Sequence, residues 1–281
     1  MKSREELIDD LLTLAFAEDV GDGDHTTLST IPADEIGCQR LIIKEEGILA
    51  GVDIARKVFR KFDPDLKMTV YIEDGAHVKP GDIAFEVEGT VRSLLQTERI
   101  MLNIMQRMSG IATTTARYQE KLAGLKTKVL DTRKTTPGMR LLEKEAVKIG
   151  GGANHRIGLF DMILIKDNHV DFAGGIPQAV SAAKKYLAET GRDLKIELEV
   201  RNTDEIKQAL EAGVDRIMLD NFTPEQTAEA VKLINGRTEI ESSGGITIDT
   251  LRAYGETGVD YISVGALTHS VKGLDMSFKA C

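Results

Sequence analysis

The sequence predicts an α/β protein whose second half alternates strands and helices, preceded by a smaller α+β domain. Three observations carry this. First, apolar strand-like runs end at Asp131, Lys166, Glu199, Asp220, near Ser243 and near Gly265, and the last four ends recur at intervals of 21, 23 and 22 residues. That repeat suits βα units. Second, the gaps hold helical patterns, at Thr203 to Ala212, Pro224 to Ile234 and Thr247 to Thr257. Third, from Cys38 to Arg92 the chain reads instead as short β-type runs broken by glycine and proline turns.

In chain order, Ser3-Arg4-Glu5-Glu6 forms a capping-box signature, and Leu7, Ile8, Leu11, Leu12 and Ala15 continue one apolar helical face. Gly21 to Thr27 reads as a solvated polar loop. It fails as a calcium loop, because an EF-hand frame opened at Asp24 puts Leu28 at a ligand position and Ser29 where glycine belongs. The β-type runs follow at Arg40–Lys44, Met68–Ile72 and Ile83–Val87. His77 to Asp82 is a turn seen in biotinyl-type carriers, but without their Met-Lys-Met it is architecture only. Ser93 to Ala123 reads as a long helix, with Ser109-Gly110 as a possible break. The six βα units then close into a barrel or spread into a doubly wound sheet. Either way the strand C-termini face the ligand.

Composition narrows the function. With 281 residues, 42% hydrophobic and 29% charged, the chain is neither disordered nor fibrous. A net charge of −9 disfavours general binding to nucleic acid or anionic membranes. No run of about eighteen apolar residues is present. The two cysteines, Cys38 and Cys281, cannot make a disulfide framework and lie in no C-x-x-C pair, so a reducing, cytoplasmic setting is expected. Within this acidic chain, Arg133, Lys134, Arg140, Lys144, Lys148, Arg156 and Lys166 cluster with His155 and His169, which suits a small anionic ligand.

Five groups carry the chemistry. Thr132-Arg133-Lys134 follows a strand and offers a forked guanidinium and a point charge, although a solvated basic loop has the same composition. Gly150-Gly151-Gly152-Ala153-Asn154-His155-Arg156 is neither a Walker loop nor a Rossmann fingerprint, and a flexible loop is its plain alternative. Lys166 stands at a strand mouth; His155 and His169 lack metal-ligand spacing. Glu199 and Asp220, in phase on neighbouring units, can bind Mg²⁺ or ribose hydroxyls, or face a developing positive charge. Finally Ser243-Gly244-Gly245 and Gly265-Ala266 are small-residue turns of the kind that receive phosphate.

Asp131 to Gly138, Gly150 to Arg156, Ile165 to His169, Leu219 to Phe222 and Glu241 to Ile246 closely resemble the quinolinate phosphoribosyltransferase family. Asp19-Val20-Gly21, His25-Thr26-Thr27 and Arg107 to Thr113 extend the match almost end to end. The resemblance implies an N-terminal α+β domain over residues 1–110, onto which 273–281 return, and an incomplete TIM-like α/β barrel over 111–272. It also implies a homodimer, or a larger assembly built from dimers, that brings Arg99 to the partner subunit's site. The implied reaction is Mg²⁺-dependent transfer from 5-phosphoribosyl-1-diphosphate to quinolinate with decarboxylation, giving nicotinate mononucleotide. Arg99, Arg133, His155, Arg156 and Lys166 match the family positions around quinolinate. Thr132, Lys134, Glu199, Asp220, Ser243, Gly244, Gly245, Gly265 and Ala266 would serve the phosphoribosyl donor, Glu199 and Asp220 would hold the metal, and Lys134, Lys166, Glu199 and Asp220 form the catalytic set. Two rivals are a phosphoribosyltransferase for nicotinate and a non-catalytic binder of phosphorylated sugars.

Overall fold

The computed structural model describes residues 2–281. They form two compact units: one from the stretch through Ala116, Thr135–Gly151 and Leu267–Cys281, the other from Arg117–Lys134 and Gly152–Ala266.

The first unit opens with α1 (Arg4–Asp19), whose capping box joins Ser3 and Glu6. Next is α2 (His25–Thr30), where a solvated loop was expected: Asp24 accepts the Thr27 backbone N–H and hydroxyl and starts a helical turn. Then come β1 (Ile36–Ile43), β2 (Gly47–Ile48), α3 (Val52–Phe62), β3 (Lys67–Val70), β4 (His77–Val78), β5 (Ile83–Thr90) and α4 (Val91–Lys121). The α4 helix is unbroken through Ser109 and Gly110. Gly110 is there for close approach, since a Cβ would fall 3.1 Å from the Gly273 Cα. Ser109 is buried and bonds both the N–H and C=O of Ala50.

The barrel strands begin with β6 (Lys128–Leu130). The α5 helix (Arg140–Ile149) belongs to the first unit. The second unit resumes with β7 (Ile163–Ile165), α6 (Asp167–Ala173), α7 (Ile176–Thr190), β8 (Ile196–Val200), α8 (Thr203–Ala212), β9 (Arg216–Asp220), α9 (Pro224–Ile234), β10 (Glu239–Ser243), α10 (Leu251–Glu256) and β11 (Tyr261–Ser263). The chain ends with α11 (Ala266–His269) and β12 (Met276–Ala280).

In the first unit, β12-β1-β5-β3 pair antiparallel, and Phe59, Phe85 and Phe278 meet beneath them with ring centroids 6.0 to 6.2 Å apart. Each ring removed from water contributes about 2 to 3 kcal/mol. The β1–β12 register pairs Gln39 with Ala280, so one step further Cys38 and Cys281 stand together with Cα atoms 5.5 Å apart, and they form a disulfide. This corrects the expectation of thiols in a reducing setting: pairing of strands from opposite ends of the chain, invisible in the sequence, brings the cysteines together.

The second unit decides between barrel and doubly wound sheet. Its six strands are parallel in the order β6-β11-β10-β9-β8-β7. A doubly wound sheet reverses its winding at a switch point. Here β7 to β11 follow one another in a single sense and β6 pairs with the last strand, as in a barrel. Among the described residues, β6 and β7 do not pair, so the barrel is incomplete. All six strand C-termini share one mouth.

Candidate active site

Strand register determines which side chains look into the barrel. Because side chains alternate, Glu197 and Glu199 of β8 share a face with Arg216, Met218 and Asp220 of β9 and with Glu239, Glu241 and Ser243 of β10. The barrel interior is therefore polar. Its outer layer, at the mouth, contains the residues expected from the sequence. Its deeper layer contains Glu197, Arg216 and Glu241, which sequence reasoning did not single out. The missed signal is the period-two recurrence of charge in Glu197-Leu198-Glu199, Arg216 to Asp220 and Glu239-Ile240-Glu241.

At the mouth, Lys166 follows β7 and places Nζ 3.7 Å from Glu199 Oε2. Burial raises the Glu199 pKa; Lys166 opposes that shift and Asp220 adds to it. Asp220 accepts a hydrogen bond from Asn221 Nδ2 at 2.7 Å, and the Asn221 N–H donates to the Ser243 carbonyl at 2.9 Å. Asn221 has φ of 57° and packs against Gly244, whose φ is 103°; a Cβ on Gly244 would fall 2.8 Å from the Asn221 nitrogen. The Ser243-Gly244-Gly245 turn is thus locked to the end of β9. Gly265 and Ala266 follow β11 at the same mouth, where α11 starts.

The cationic side comes from two loops. Thr132, Arg133 and Lys134 follow β6, with the Lys134 N–H donating to Thr132 Oγ1 at 3.0 Å. Arg156 is half-buried, and its Nη1 donates to the Met162 carbonyl at 3.4 Å. Its pKa is held below the ordinary arginine value, first by burial and then by the neighbouring Arg133 charge. Arg99 lies in the first unit, exposed on α4, and its side chain makes no hydrogen bond or ion pair among the described residues.

His155, expected among the quinolinate contacts, turns its ring toward the barrel interior. It is 8% exposed. Its backbone N–H donates to Asp131 Oδ1 at 2.9 Å, while its Nδ1 accepts the Arg156 backbone N–H at 2.7 Å. The other nitrogen, Nε2, faces Glu197 Oε2 at 2.9 Å and Glu241 Oε2 at 3.5 Å. Strand packing turns the ring into the barrel. Arg216 closes the cluster, with Nη1 3.3 Å from Glu241 and Nη2 3.1 Å from Glu239, and its guanidinium 4.4 Å above the Tyr261 ring. Burial pushes Glu197 up and lifts Glu241 to about 8, with Glu197 adding to the latter. Protonation of one of the two carboxyls relieves that repulsion.

A parallel barrel with two arginines, a lysine beside paired carboxylates, and a glycine turn at one mouth defines an enzyme for anionic, phosphorylated substrates. Residues 24–109 and 111–279 match the N- and C-terminal domain models of quinolinate phosphoribosyl transferase, and the chain belongs to that family. It is 47% identical to the rice chloroplastic nicotinate-nucleotide pyrophosphorylase [carboxylating], covering 96% of this chain and 76% of the rice protein. It is 43% identical to a probable nicotinate-nucleotide pyrophosphorylase [carboxylating] of Bacillus subtilis, over 95% of this chain and 91% of the relative. The crystal structure of NadC from Streptococcus pyogenes superposes with a TM-score of 0.93 at 42% identity, covering 99% of this chain and 98% of that one.

Proposed function

We propose that this chain transfers the phosphoribosyl group of 5-phosphoribosyl-1-diphosphate to quinolinate and decarboxylates the product to nicotinate mononucleotide. The observation that carries the reading is the Arg133–Arg156 pair: one half-buried guanidinium beside a second of like charge is a site that a dicarboxylate neutralises. Lys166 adds a third cation, and Arg99, supplied by the partner subunit of a dimer, a fourth. Lys134 and the turns at Ser243-Gly244-Gly245 and Gly265-Ala266 receive the phosphates of the donor.

Glu199 and Asp220 fit a magnesium ion. They offer only oxygen donors at adjacent strand ends, and burial leaves the Glu199 charge short of compensation. When bound, the ion would neutralise charge on the departing pyrophosphate. The chain's own groups do the rest. Arg133 and Arg156 hold quinolinate with its ring nitrogen toward C1′ of the ribose. The C1′–O bond to pyrophosphate breaks, Glu199 and Asp220 stabilise the positive charge developing on the sugar, and the ring nitrogen forms the new bond to C1′. When the adjacent carboxylate departs as CO₂, its bonding electron pair stays on the ring carbon, stabilised by the neighbouring cationic nitrogen, and that pair then takes up a proton.

No helix among the described residues is long and apolar enough to cross a membrane. A cytoplasmic location is the accompanying proposal, tested by cell fractionation and by free-thiol titration of the Cys38–Cys281 pair.

The deciding experiment is product formation from quinolinate and 5-phosphoribosyl-1-diphosphate with and without Mg²⁺, with nicotinate as parallel acceptor. Mg²⁺-dependent nicotinate mononucleotide and CO₂ from quinolinate alone is the expected result. Product only from nicotinate would overturn the pocket assignment, and no product with either would favour a binding protein.

A further inference from the structure

We infer that Asp161 is a positioning residue for Arg156: its carboxylate gathers the two backbone N–H groups that follow Arg156 and so sets where the guanidinium stands. The inference rests on the reading that Arg156 holds a quinolinate carboxylate. The geometry is local and lies within the second unit. The Ile157 N–H donates to Asp161 Oδ2 and the Gly158 N–H to Asp161 Oδ1, each at 2.8 Å. Each carboxylate oxygen thus has its own backbone donor, and bonds to an ionised acceptor are about twice as strong as neutral ones. Arg156 reaches across the same loop in the other direction, with Nη1 donating to the carbonyl of Met162, the residue after Asp161. The segment from Arg156 to Met162 is therefore closed on itself, by its backbone through Asp161 and by the Arg156 side chain.

The segment needs such a closure. It contains neither helix nor strand before β7 begins at Ile163. The apolar side chains at its tip, Leu159 and Phe160, are 72% and 47% exposed, so burial does not hold it. Gly158 is buried, and a Cβ there would run into the Phe160 ring, which keeps the turn tight. Asp161 forms no ion pair among the described residues, with Arg156 or any other group, so its carboxylate is committed to the loop backbone.

The competing role for Asp161 is that of a plain charge. Burial and Arg133 lower the Arg156 pKa, while the charges of Glu197 and Asp161 pull it back up. A negative charge that near the guanidinium repels an anionic ligand, so neutralising it would tighten quinolinate binding if the field were all that mattered. Loss of the closure acts in the opposite sense, because a guanidinium no longer held in place must be ordered again by the ligand. The sign of the effect therefore separates the two roles.

The test is a set of variants read by calorimetry with quinolinate and, separately, with 5-phosphoribosyl-1-diphosphate. Asp161→Ala is expected to weaken quinolinate binding about tenfold, the cost of losing an orienting charge-assisted bond, with donor binding changed less than twofold. Asp161→Asn, which removes the same charge but keeps one acceptor oxygen, should lose only about threefold. In steady-state kinetics the quinolinate KM should rise while the donor KM stays within twofold. The decisive arm is the double variant: in an Arg156→Ala background, Asp161→Ala should weaken quinolinate by less than a further twofold, because its effect passes through Arg156. Tighter quinolinate binding in either single variant, equal losses for both substrates, or additive losses in the double variant would each overturn the proposal. Arg156→Ala by itself tests the reading beneath it. If quinolinate binding survives that change the pocket assignment fails, whereas a selective loss there with none in Asp161→Ala refutes the positioning role alone. Should Asp161→Ala fail to fold, Asp161→Asn carries the same comparisons, alone and with Arg156→Ala.

Discussion

Replacing Glu241 with Gln should flatten the dependence of stability on pH. Glu241 is fully buried, 3.3 Å from Arg216 and facing Glu197, and burial lifts its pKa from an ordinary 4.5 to about 8. Between those values the folded protein keeps a proton that the unfolded chain has given up, so unfolding releases it. The sign follows: the contribution is fully present below about pH 4.5 and is lost as pH rises through about 8. Each pH unit in that window costs about 1.4 kcal/mol, and the whole window about 4 to 5 kcal/mol. Gln copies the protonated carboxyl but cannot ionise. Urea unfolding followed by circular dichroism at pH 5, 6, 7 and 8 should therefore give a wild-type stability that falls across the series, and a Glu241→Gln stability that falls less steeply by about 1 kcal/mol per unit. Parallel pH profiles for the two proteins would show that Glu241 ionises as an exposed carboxyl does and would refute the picture of a protonated carboxyl in the cluster.

Other outcomes test the mouth. Gly244→Ala should cost about 1 to 3 kcal/mol in thermal unfolding and weaken donor binding, because a Cβ would meet Asn221 at positive φ; Gly245→Ala, whose Cβ would meet open space, should cost less. Glu199→Gln and Asp220→Asn should lower turnover and shift its Mg²⁺ dependence to higher concentration, while quinolinate binding by calorimetry stays within twofold; unchanged kinetics would remove both from the site. If a dimer shares Arg99 across subunits, mixing inactive Arg99→Ala with inactive Lys134→Ala should restore about a quarter of the activity, since half the dimers would carry one intact site. No recovery after subunit exchange would place Arg99 in its own subunit's site or outside catalysis.

The mouth was more legible in the sequence than the interior. Strand ends showed because a βα unit has a nearly fixed length, so Glu199, Asp220, Ser243 and Gly265 recur in step. Once parallel strands are inferred, a residue at such an end has only one place to be. Glu197, Arg216 and Glu241 gave no comparable signal. A charged residue inside a short strand reads as its solvent face, and only the register of three adjacent strands shows that these three share a sealed interior. The interior setting of His155 was hidden for a related reason: its neighbours in sequence are basic and glycine-rich, whereas its neighbours in space are carboxylates from strands tens of residues away. Gly110 illustrates the converse. A glycine inside a helical pattern suggests a break, but here it lets Lys272-Gly273 pass close to an unbroken helix.

The pairing of β12 with β1 has a consequence for how the protein is made. The sheet of the first unit needs a strand translated after all six barrel strands, so during synthesis β1 waits with an unpaired edge while the whole barrel emerges. Backbone groups on that edge are a template for any strand that arrives first. Synthesis order thus runs against assembly order, and a chain truncated before Met276 would leave a long exposed edge and an incomplete Phe59–Phe85–Phe278 cluster rather than merely a shorter tail.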